Sequence, residues 1–153
     1  MLKARKATLA DAAETYARLT LAMNDAFIAA WRSKYQINLL RPVTYVQLFI
    51  DSNWTPQLMN TPSFPEYPSG HSVQSAAAAA VLSTLFGAQT AFTDNAHNDR
   101  GWGPRTFTSF NAAAEEAALS RLYAGIHFRS AVINGQAQGR CVAQRVLGLK
   151  TRR

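Results

Sequence analysis

The stretch of sequence that decides the fold runs Pro68-Ser69-Gly70-His71-Ser72-Val73-Gln74-Ser75-Ala76-Ala77-Ala78-Ala79-Ala80-Val81-Leu82-Ser83-Thr84-Leu85-Phe86 and is followed by Gly87. Residues 72–86 predict a helix, and a glycine after the last turn is typical of a helix end. Ser69 and Gly70 stand where its N-cap and first turn belong. The alanines at 76–80 are explained equally well by close helix packing or by helix propensity alone.

Upstream of this helix, a regular segment is followed by an irregular one. Residues 7–35 contain no Gly or Pro and repeat apolar residues at spacings of three and four, which predicts an amphipathic helix. Residues 37–68 hold five of the six prolines and predict a long loop with a short helix over 43–52. Such a loop is uncommon in a compact domain unless it is functional, so we expect it to line a site.

Downstream, residues 88–108 predict a second long loop, because Asp, Asn, Gly and Pro recur there. Residues 111–124 predict a helix that is broken at Gly125, and a last helix begins at 127 or 128 and ends at 147. No stretch shows convincing strand alternation. The predicted fold class is therefore all-α: a helical bundle of four to five helices, with two long loops at one end that form an anion site.

Composition limits the domain count and the partners. A chain of 153 residues with 48% apolar content can bury one core, so we predict a single domain over residues 1–153. Sixteen basic and nine acidic residues give a formal charge of +7, which attracts anions. No basic helix, zinc pattern or aromatic RNA-binding signature accompanies that charge, so we expect no nucleic-acid partner.

Cysteine usage and hydropathy exclude further classes. Cys141 is the only cysteine, so there is no internal disulfide. The longest small-apolar stretch is too short to span a bilayer, and Asp11 and Glu14 interrupt the N-terminal segment before a signal-peptide core develops. We therefore expect a soluble protein with no membrane span and no evident signal peptide, its compartment remaining open. The long loops of a short chain also predict a homo-oligomer.

Lys34 and Arg41 form the first group of candidate site residues. They are seven positions apart, which on a continuous helix ending at Pro42 puts both side chains on one face. Arginine binds two oxygens as a planar fork and lysine is a point charge, so the pair suits a tetrahedral or trigonal oxyanion. By itself the pair fits two solvated surface cations better.

Ser69, Gly70 and His71 form the second group, at the start of the alanine-rich helix. Free N–H groups and the positive end of the helix dipole bind anions at such a position, and glycine lets the backbone come close. His71 would point into that site as a proton donor or acceptor. The alternative is an ordinary capping turn with an exposed histidine.

Arg121 and His127 form the third group. A straight helix would not place them on one face, but a break at Gly125 lets them converge. A lone histidine between Ile126 and Phe128 is more often an ordinary core or surface residue. The occurrence of all three groups in one chain overturns that expectation.

The motifs Lys34-x6-Arg41-Pro42, Pro68-Ser69-Gly70-His71 and Ser120-Arg121-x5-His127 occur in this order. They resemble the three-part signature of the type 2 phosphatidic acid phosphatases and vanadium-dependent haloperoxidases, whose fold is an all-α bundle. The resemblance implies an anion site for vanadate, which phosphate could also occupy, formed by Lys34, Arg41, Ser69, Gly70, Arg121 and His127.

The resemblance also assigns His71, His127 and Lys34 to catalysis. In a haloperoxidase, His127 would ligate the vanadium of vanadate, His71 would handle protons and Lys34 would polarise the peroxide. In a phosphatase, His127 would attack phosphorus and His71 would protonate the leaving group. The anion site alone does not distinguish the two reactions.

Residues around the signature favour the haloperoxidases. Trp31 and Phe64 stand where the soluble haloperoxidases have aromatic residues near the halide, although core packing explains both equally well. Residues 64–71 are similar to the Phe-Pro-x-Tyr-Pro-Ser-Gly-His of that group, in which Phe accompanies chloroperoxidase-like sites. Residues 119–129 are closer to bacterial haloperoxidase-like proteins than to the membrane lipid phosphatases.

Two features depart from the family pattern. Ala131 stands where the family commonly has an Asp that orients the motif-three histidine, and Asn134, Glu115 or Glu116 could take over that role. The chain is also shorter than soluble vanadium haloperoxidases, so one interpretation is that it is the C-terminal core of a longer protein.

The leading hypothesis is a vanadium-dependent haloperoxidase that oxidises halide with hydrogen peroxide at a His-bound vanadate. One alternative is a soluble acid phosphatase that hydrolyses phosphomonoesters through a phosphohistidine. A third is a catalytically impaired anion-binding domain, which Ala131 and the short chain motivate.

Overall fold

The computed structural model describes residues 1–56, 58 and 60–151. Within them the chain forms five α-helices and one two-stranded antiparallel hairpin, as the prediction of four to five helices requires. In chain order the elements are α1 (Leu9–Ile37), α2 (Pro42–Phe49), α3 (Gly70–Phe86), β1 (Phe92–Asp94), a 3-10 turn (Asn98–Arg100), β2 (Arg105–Phe107), α4 (Phe110–Tyr123) and α5 (Arg129–Leu147).

The first helix begins and ends at defined caps. Thr8 and Asp11 form a capping box, in which each side chain accepts a hydrogen bond from the other residue's backbone N–H. Asn38 ends α1 in the left-handed conformation, with φ 50° and ψ 45°. The prediction that one helix continues from Lys34 to Arg41 is therefore wrong, and Pro42 begins α2 instead of ending a segment.

Helix α3 lies at the centre of the bundle and packs against α1, α4 and α5. Its contact with α5 is close because both helices present small residues. A Cβ on Gly139 of α5 would lie 2.0 Å from the carbonyl oxygen of Val73 on α3, so the two backbones touch there. The main core cluster consists of small and branched side chains: Ala22, Ala26, Ala30, Val73, Ala77, Val81, Ala143 and Val146.

The hairpin corrects the prediction that residues 88–108 form a loop without strands. Strands β1 and β2 pair Phe92 with Phe107 and Asp94 with Arg105. Phe92 also stacks on Phe110 at the start of α4, with the ring centroids 5.1 Å apart. Each strand has three residues, too few for alternation to be visible in sequence, and the aromatic packing that stabilises the pair is tertiary.

In the part of the chain that the structure describes, no helix combines the length and the apolar character needed to cross a membrane.

Candidate functional site

Lys34 is fully buried in the last turn of α1. Its Nζ donates hydrogen bonds to the carbonyl oxygens of Pro65 and Glu66, each at 2.9 Å, so the proline-rich loop does line the site. Burial, as the larger cause, and the charge of Arg41 together lower the pKa of Lys34 to about 8, with Glu66 opposing both. The ammonium group is thus a desolvated cation whose charge is sensitive to its surroundings.

Arg41 is buried at the N-cap of α2, in extended conformation. Its Nε donates to the carbonyl oxygen of Phe64 at 3.0 Å, and its Nη1 donates to that of Ile126 at 2.8 Å. Nη2 is also buried and has no hydrogen-bond partner among the described residues. Since a guanidinium nitrogen can only donate, Nη2 marks a position for a further acceptor.

His127 lies in the connection between α4 and α5, two residues after Gly125. Gly125 has φ +70°, a conformation that favours glycine, and it redirects the chain after α4. The Nδ1 of His127 is 2.7 Å from Oε1 of Glu66, and Nε2 is 3.2 Å from Nη1 of Arg41. Because Arg41 can only donate, Nε2 carries the lone pair and Nδ1–H donates to the carboxylate.

The electrostatic surroundings of His127 agree with this tautomer. Burial lowers the pKa of its ring, the hydrogen bond to Glu66 raises it, and the charges of Arg41 and Lys34 lower it. The net direction is downward, so the imidazole is neutral near pH 7. A neutral ring with its lone pair on Nε2 is the state that binds a metal centre or attacks an electrophile, and here that lone pair accepts from Nη1 of Arg41.

The N-terminus of α3 supplies backbone and hydroxyl donors. Ser69 caps the helix, and its Oγ accepts from the N–H and from the Oγ of Ser72 at 3.4 and 2.9 Å. The Ser69 hydroxyl hydrogen and the first-turn amides of Gly70 and His71 have no acceptor within the helix. Such donors at a helix N-terminus are of the kind that bind anions, and the anion site itself stays a prediction.

Arg121 and His71 complete the group. Arg121 belongs to the last turn of α4, and its positive charge lowers the pKa of both Arg41 and His71. Burial is the larger cause of the His71 shift, and the residue as a whole is exposed at the start of α3. The structure thus brings the three groups of predicted site residues together.

Trp31 lies beside Lys34, and Phe64 lies beside both Lys34 and Arg41, while their predicted place near a halide stays a prediction. Their ring centroids are 5.2 Å apart, and Nζ of Lys34 lies 5.7 Å from the Trp31 ring and 5.2 Å from the Phe64 ring. A Cβ on Gly70 would lie 2.9 Å from Cζ3 of Trp31, so this ring packs directly on the first turn of α3. The two aromatics form an apolar wall next to the anion site.

Glu66 is the site residue that the sequence does not predict. It occupies the variable position of the Phe-Pro-x-Tyr-Pro-Ser-Gly-His stretch, is fully buried, and contacts His127 from the side of the proline-rich loop. Glu115 and Glu116, which the sequence offered in place of the missing aspartate, have other surroundings. Glu115 is exposed, and Glu116 forms a salt bridge with Arg105. The available signal was a charged residue inside an otherwise apolar, proline-rich motif.

The donor set fits an oxyanion better than a cation. Across residues 1–56, 58 and 60–151, no group of three or more His, Cys, Asp or Glu side chains is arranged to hold a metal ion. What converges instead is an ammonium, two guanidinium groups, a hydroxyl, a helix N-terminus and one histidine lone pair. Such a set can neutralise several oxygens of a tetrahedral or trigonal-bipyramidal anion while His127 binds its central atom.

Known proteins share this helical bundle. Residues 46–152 match the family model described as the VCPO second helical-bundle domain. The crystal structure of a bacterial vanadium-dependent iodoperoxidase superposes with a TM-score of 0.90 at 43% identity, covering 95% of this chain and 35% of that one. The chain therefore spans about a third of the length of that relative.

The apo and holo crystal structures of a bacterial vanadium-dependent chloroperoxidase are more distant. Each has a TM-score of 0.63 at 19% identity over 85% of this chain, and the match covers 36% of the apo chain and 35% of the holo chain. At that identity they show a shared fold. No curated protein matches the sequence.

The molecule is thus a helical bundle in which buried cations and a histidine lie near the N-terminal end of the central helix. It belongs to the vanadium haloperoxidase family.

Proposed function

We propose that this chain binds orthovanadate at His127 and oxidises halide with hydrogen peroxide. The observation that carries the proposal is the pairing of His127 with Arg41: Nε2 of His127, whose lone pair accepts from Nη1 of Arg41, lies beside a buried guanidinium whose Nη2 has no partner among the described residues. A vanadate oxygen would satisfy that nitrogen, and the lone pair would ligate vanadium. The vanadium-dependent iodoperoxidase relative, at 43% identity, supports this assignment.

The residues present fit vanadate by charge as well as by ligand type. Lys34, Arg41 and Arg121 supply the positive charge, and the Ser69 hydroxyl and the first turn of α3 supply neutral donors. When bound, vanadate supplies a Lewis-acid centre of constant oxidation state at which hydrogen peroxide becomes reactive toward halide.

The side chains of this chain then bind, orient and move protons. Arg41 and Lys34 hold oxygens of the anion from a buried position, where hydrogen bonds from charged donors are strong. His71 has a lowered pKa, so its neutral ring accepts a proton from hydrogen peroxide at neutral pH. The overall reaction combines halide, hydrogen peroxide and one proton to give hypohalous acid and water.

We propose iodide as the preferred halide. Trp31 and Phe64 place an apolar wall beside Lys34, which suits a large and weakly hydrated anion next to a cation. Iodide is also more easily oxidised than bromide or chloride. The described activity of the 43% identical relative, an iodoperoxidase, points in the same direction.

The test compares wild type with His127→Ala after incubation with orthovanadate. Oxidation of iodide by hydrogen peroxide is followed with and without vanadate, and then with bromide in place of iodide. We expect vanadate-dependent turnover in wild type and none above background in His127→Ala. His97→Ala is the matched control, because His97 is an exposed histidine whose ring packs on Trp102, and we expect its loss to leave turnover unchanged.

Two alternative functions give different results in the same preparations. An acid phosphatase would hydrolyse p-nitrophenyl phosphate, and vanadate would inhibit it. A non-catalytic anion-binding domain would bind sulfate and turn over neither substrate. Iodide oxidation that survives in His127→Ala would refute the proposed role of that residue.

A further inference from the structure

We infer that Glu66 is the positioning residue of the site: its carboxylate keeps the proton of His127 on Nδ1 and fixes the orientation of the ring, so that Nε2 faces the anion. What Nε2 binds rests on the function proposed above. How the ring is held does not depend on it, because the relevant contacts belong to the protein alone.

One oxygen of the Glu66 carboxylate accepts two hydrogen bonds from the segment that carries His127. Oε1 of Glu66 accepts from Nδ1–H of His127 at 2.7 Å and from the backbone N–H of Phe128 at 3.0 Å. Phe128 is the N-cap of α5, so the same oxygen sets both the ring and the chain that carries it. Rotation of the imidazole would break the first bond while the second still holds the backbone in place.

The backbone of Glu66 reaches a second site residue. Its carbonyl oxygen accepts from Nζ of Lys34 at 2.9 Å. One residue of the proline-rich loop therefore fixes a cation through its main chain and a histidine through its side chain. This coupling explains why the loop and the start of α5 meet at the anion site.

Burying the carboxylate of Glu66 costs solvation free energy, and a functional role would explain why this chain retains it. Glu66 is fully buried, and its Oε2 has no hydrogen-bond partner among the described residues. Its negative charge acts on Lys34, Arg41 and His127, and in each case it opposes the loss of a proton. A buried acid that contacts a histidine and neutralises nearby cations is typical of a functional arrangement.

Glu66 also accounts for Ala131. At this position the family commonly has an aspartate that orients the histidine, and here Ala131 is fully buried with no group that can accept from the ring. Its carbonyl oxygen accepts from the N–H of Ser69 at 3.1 Å, so it contributes only its backbone. In this chain the carboxylate that contacts His127 lies in the proline-rich loop and not on α5.

The test measures the tautomer of His127 directly. Protein labelled with ¹⁵N-histidine gives separate NMR signals for protonated and unprotonated ring nitrogens, and His127→Ala assigns them. In wild type without any anion we expect Nδ1 to be protonated and Nε2 unprotonated. In Glu66→Ala we expect that preference to be lost and affinity for orthovanadate to fall by about 10- to 100-fold.

Glu66→Gln separates charge from geometry and remains informative if Glu66→Ala does not fold. The amide oxygen can accept the two bonds that Oε1 accepts, so we expect the tautomer to persist. The hydrogen bond loses its charge, so the Nδ1–H proton resonance moves upfield and vanadate affinity falls by less than in Glu66→Ala. Glu116→Gln is the matched control, because this carboxylate is exposed and pairs with Arg105.

The inference is overturned if folded Glu66→Ala has the same ring signals and the same vanadate affinity as wild type. If only Glu66→Gln folds, the same comparison is made with that variant. Loss of iodide oxidation in all proteins, wild type included, would count against the proposed function alone. In that case the ring tautomers still decide whether Glu66 positions His127.

Discussion

Replacing Gly139 with alanine would place a Cβ 2.0 Å from the carbonyl oxygen of Val73, where real Cβ contacts do not fall below 3.0 Å. The other near atoms are the Val73 carbonyl carbon at 2.9 Å and the Ala77 nitrogen at 3.0 Å, both of which are backbone. No side-chain rotation can relieve this contact. Helices α3 and α5 would have to separate by about 1 Å, against packing that holds α3 to α1 and α4 as well.

The expected loss in the free energy of unfolding of Gly139→Ala follows from that geometry. Overpacking a core typically costs about 1–3 kcal/mol when neighbours can adjust, and here they are backbone atoms, so we expect a loss of about 3 kcal/mol or more. For a chain of this size that corresponds to a fall in Tm of about 6–12 °C. Sulfate affinity should fall too, because Gly135 on the same helix lies against the carbonyl oxygen of Ser69, and a displaced α5 disturbs the anion site.

Urea unfolding followed by far-ultraviolet circular dichroism measures the stability, and calorimetric titration with sulfate measures the site. Gly148→Ala is the matched control: its φ is −72° and its nearest Cβ contact is an ordinary 3.4 Å, so we expect no loss. If Gly139→Ala costs less than about 0.5 kcal/mol, the level of a surface substitution, the reasoning that α3 and α5 are in backbone contact is wrong.

Two further predictions concern the site itself. The pKa of Lys34 is lowered to about 8, so Lys34 loses its charge as pH rises through that value. Sulfate keeps a constant charge in this range, so its affinity should be about 10-fold or more lower well above pH 8 than well below pH 8. In Lys34→Met this pH dependence of sulfate binding should disappear. Gly70→Ala should weaken sulfate binding but destabilise less than Gly139→Ala, because its Cβ meets the movable ring of Trp31 at 2.9 Å; equal losses of stability in urea would contradict this.

Much of the site was predictable from sequence because its residues sit at points that local rules define. Ser69 precedes a strong helix former, which marks it as an N-cap, and the cap is confirmed. Gly125 has the conformation expected of a glycine that ends a helix. The family follows from three motifs in order, and both the helical bundle and the family are confirmed. The roles of the residues, the vanadate, the single domain and the homo-oligomer stay predictions.

Other features were predicted with the wrong geometry. Lys34 and Arg41 do contact the same loop, but a left-handed Asn38 separates their helices, so a turn and not a helix face brings them together. The sequence does not predict the hairpin at 92–107, because strands of three residues show no visible alternation. The strands are stabilised by stacking of Phe92 on Phe110, which is a tertiary contact.

The sequence by itself determined the all-α fold class and the Ser69 cap, since these depend on side chains a few positions apart, while the anion-binding roles of the residues stay predictions. Only the tertiary structure decided that Glu66 holds His127, across 61 residues of chain, and that Gly139 brings α5 against α3. The physical reason is that neither contact leaves a local pattern. A buried carboxylate and a close-packed glycine acquire their roles from the atoms that the fold places opposite them.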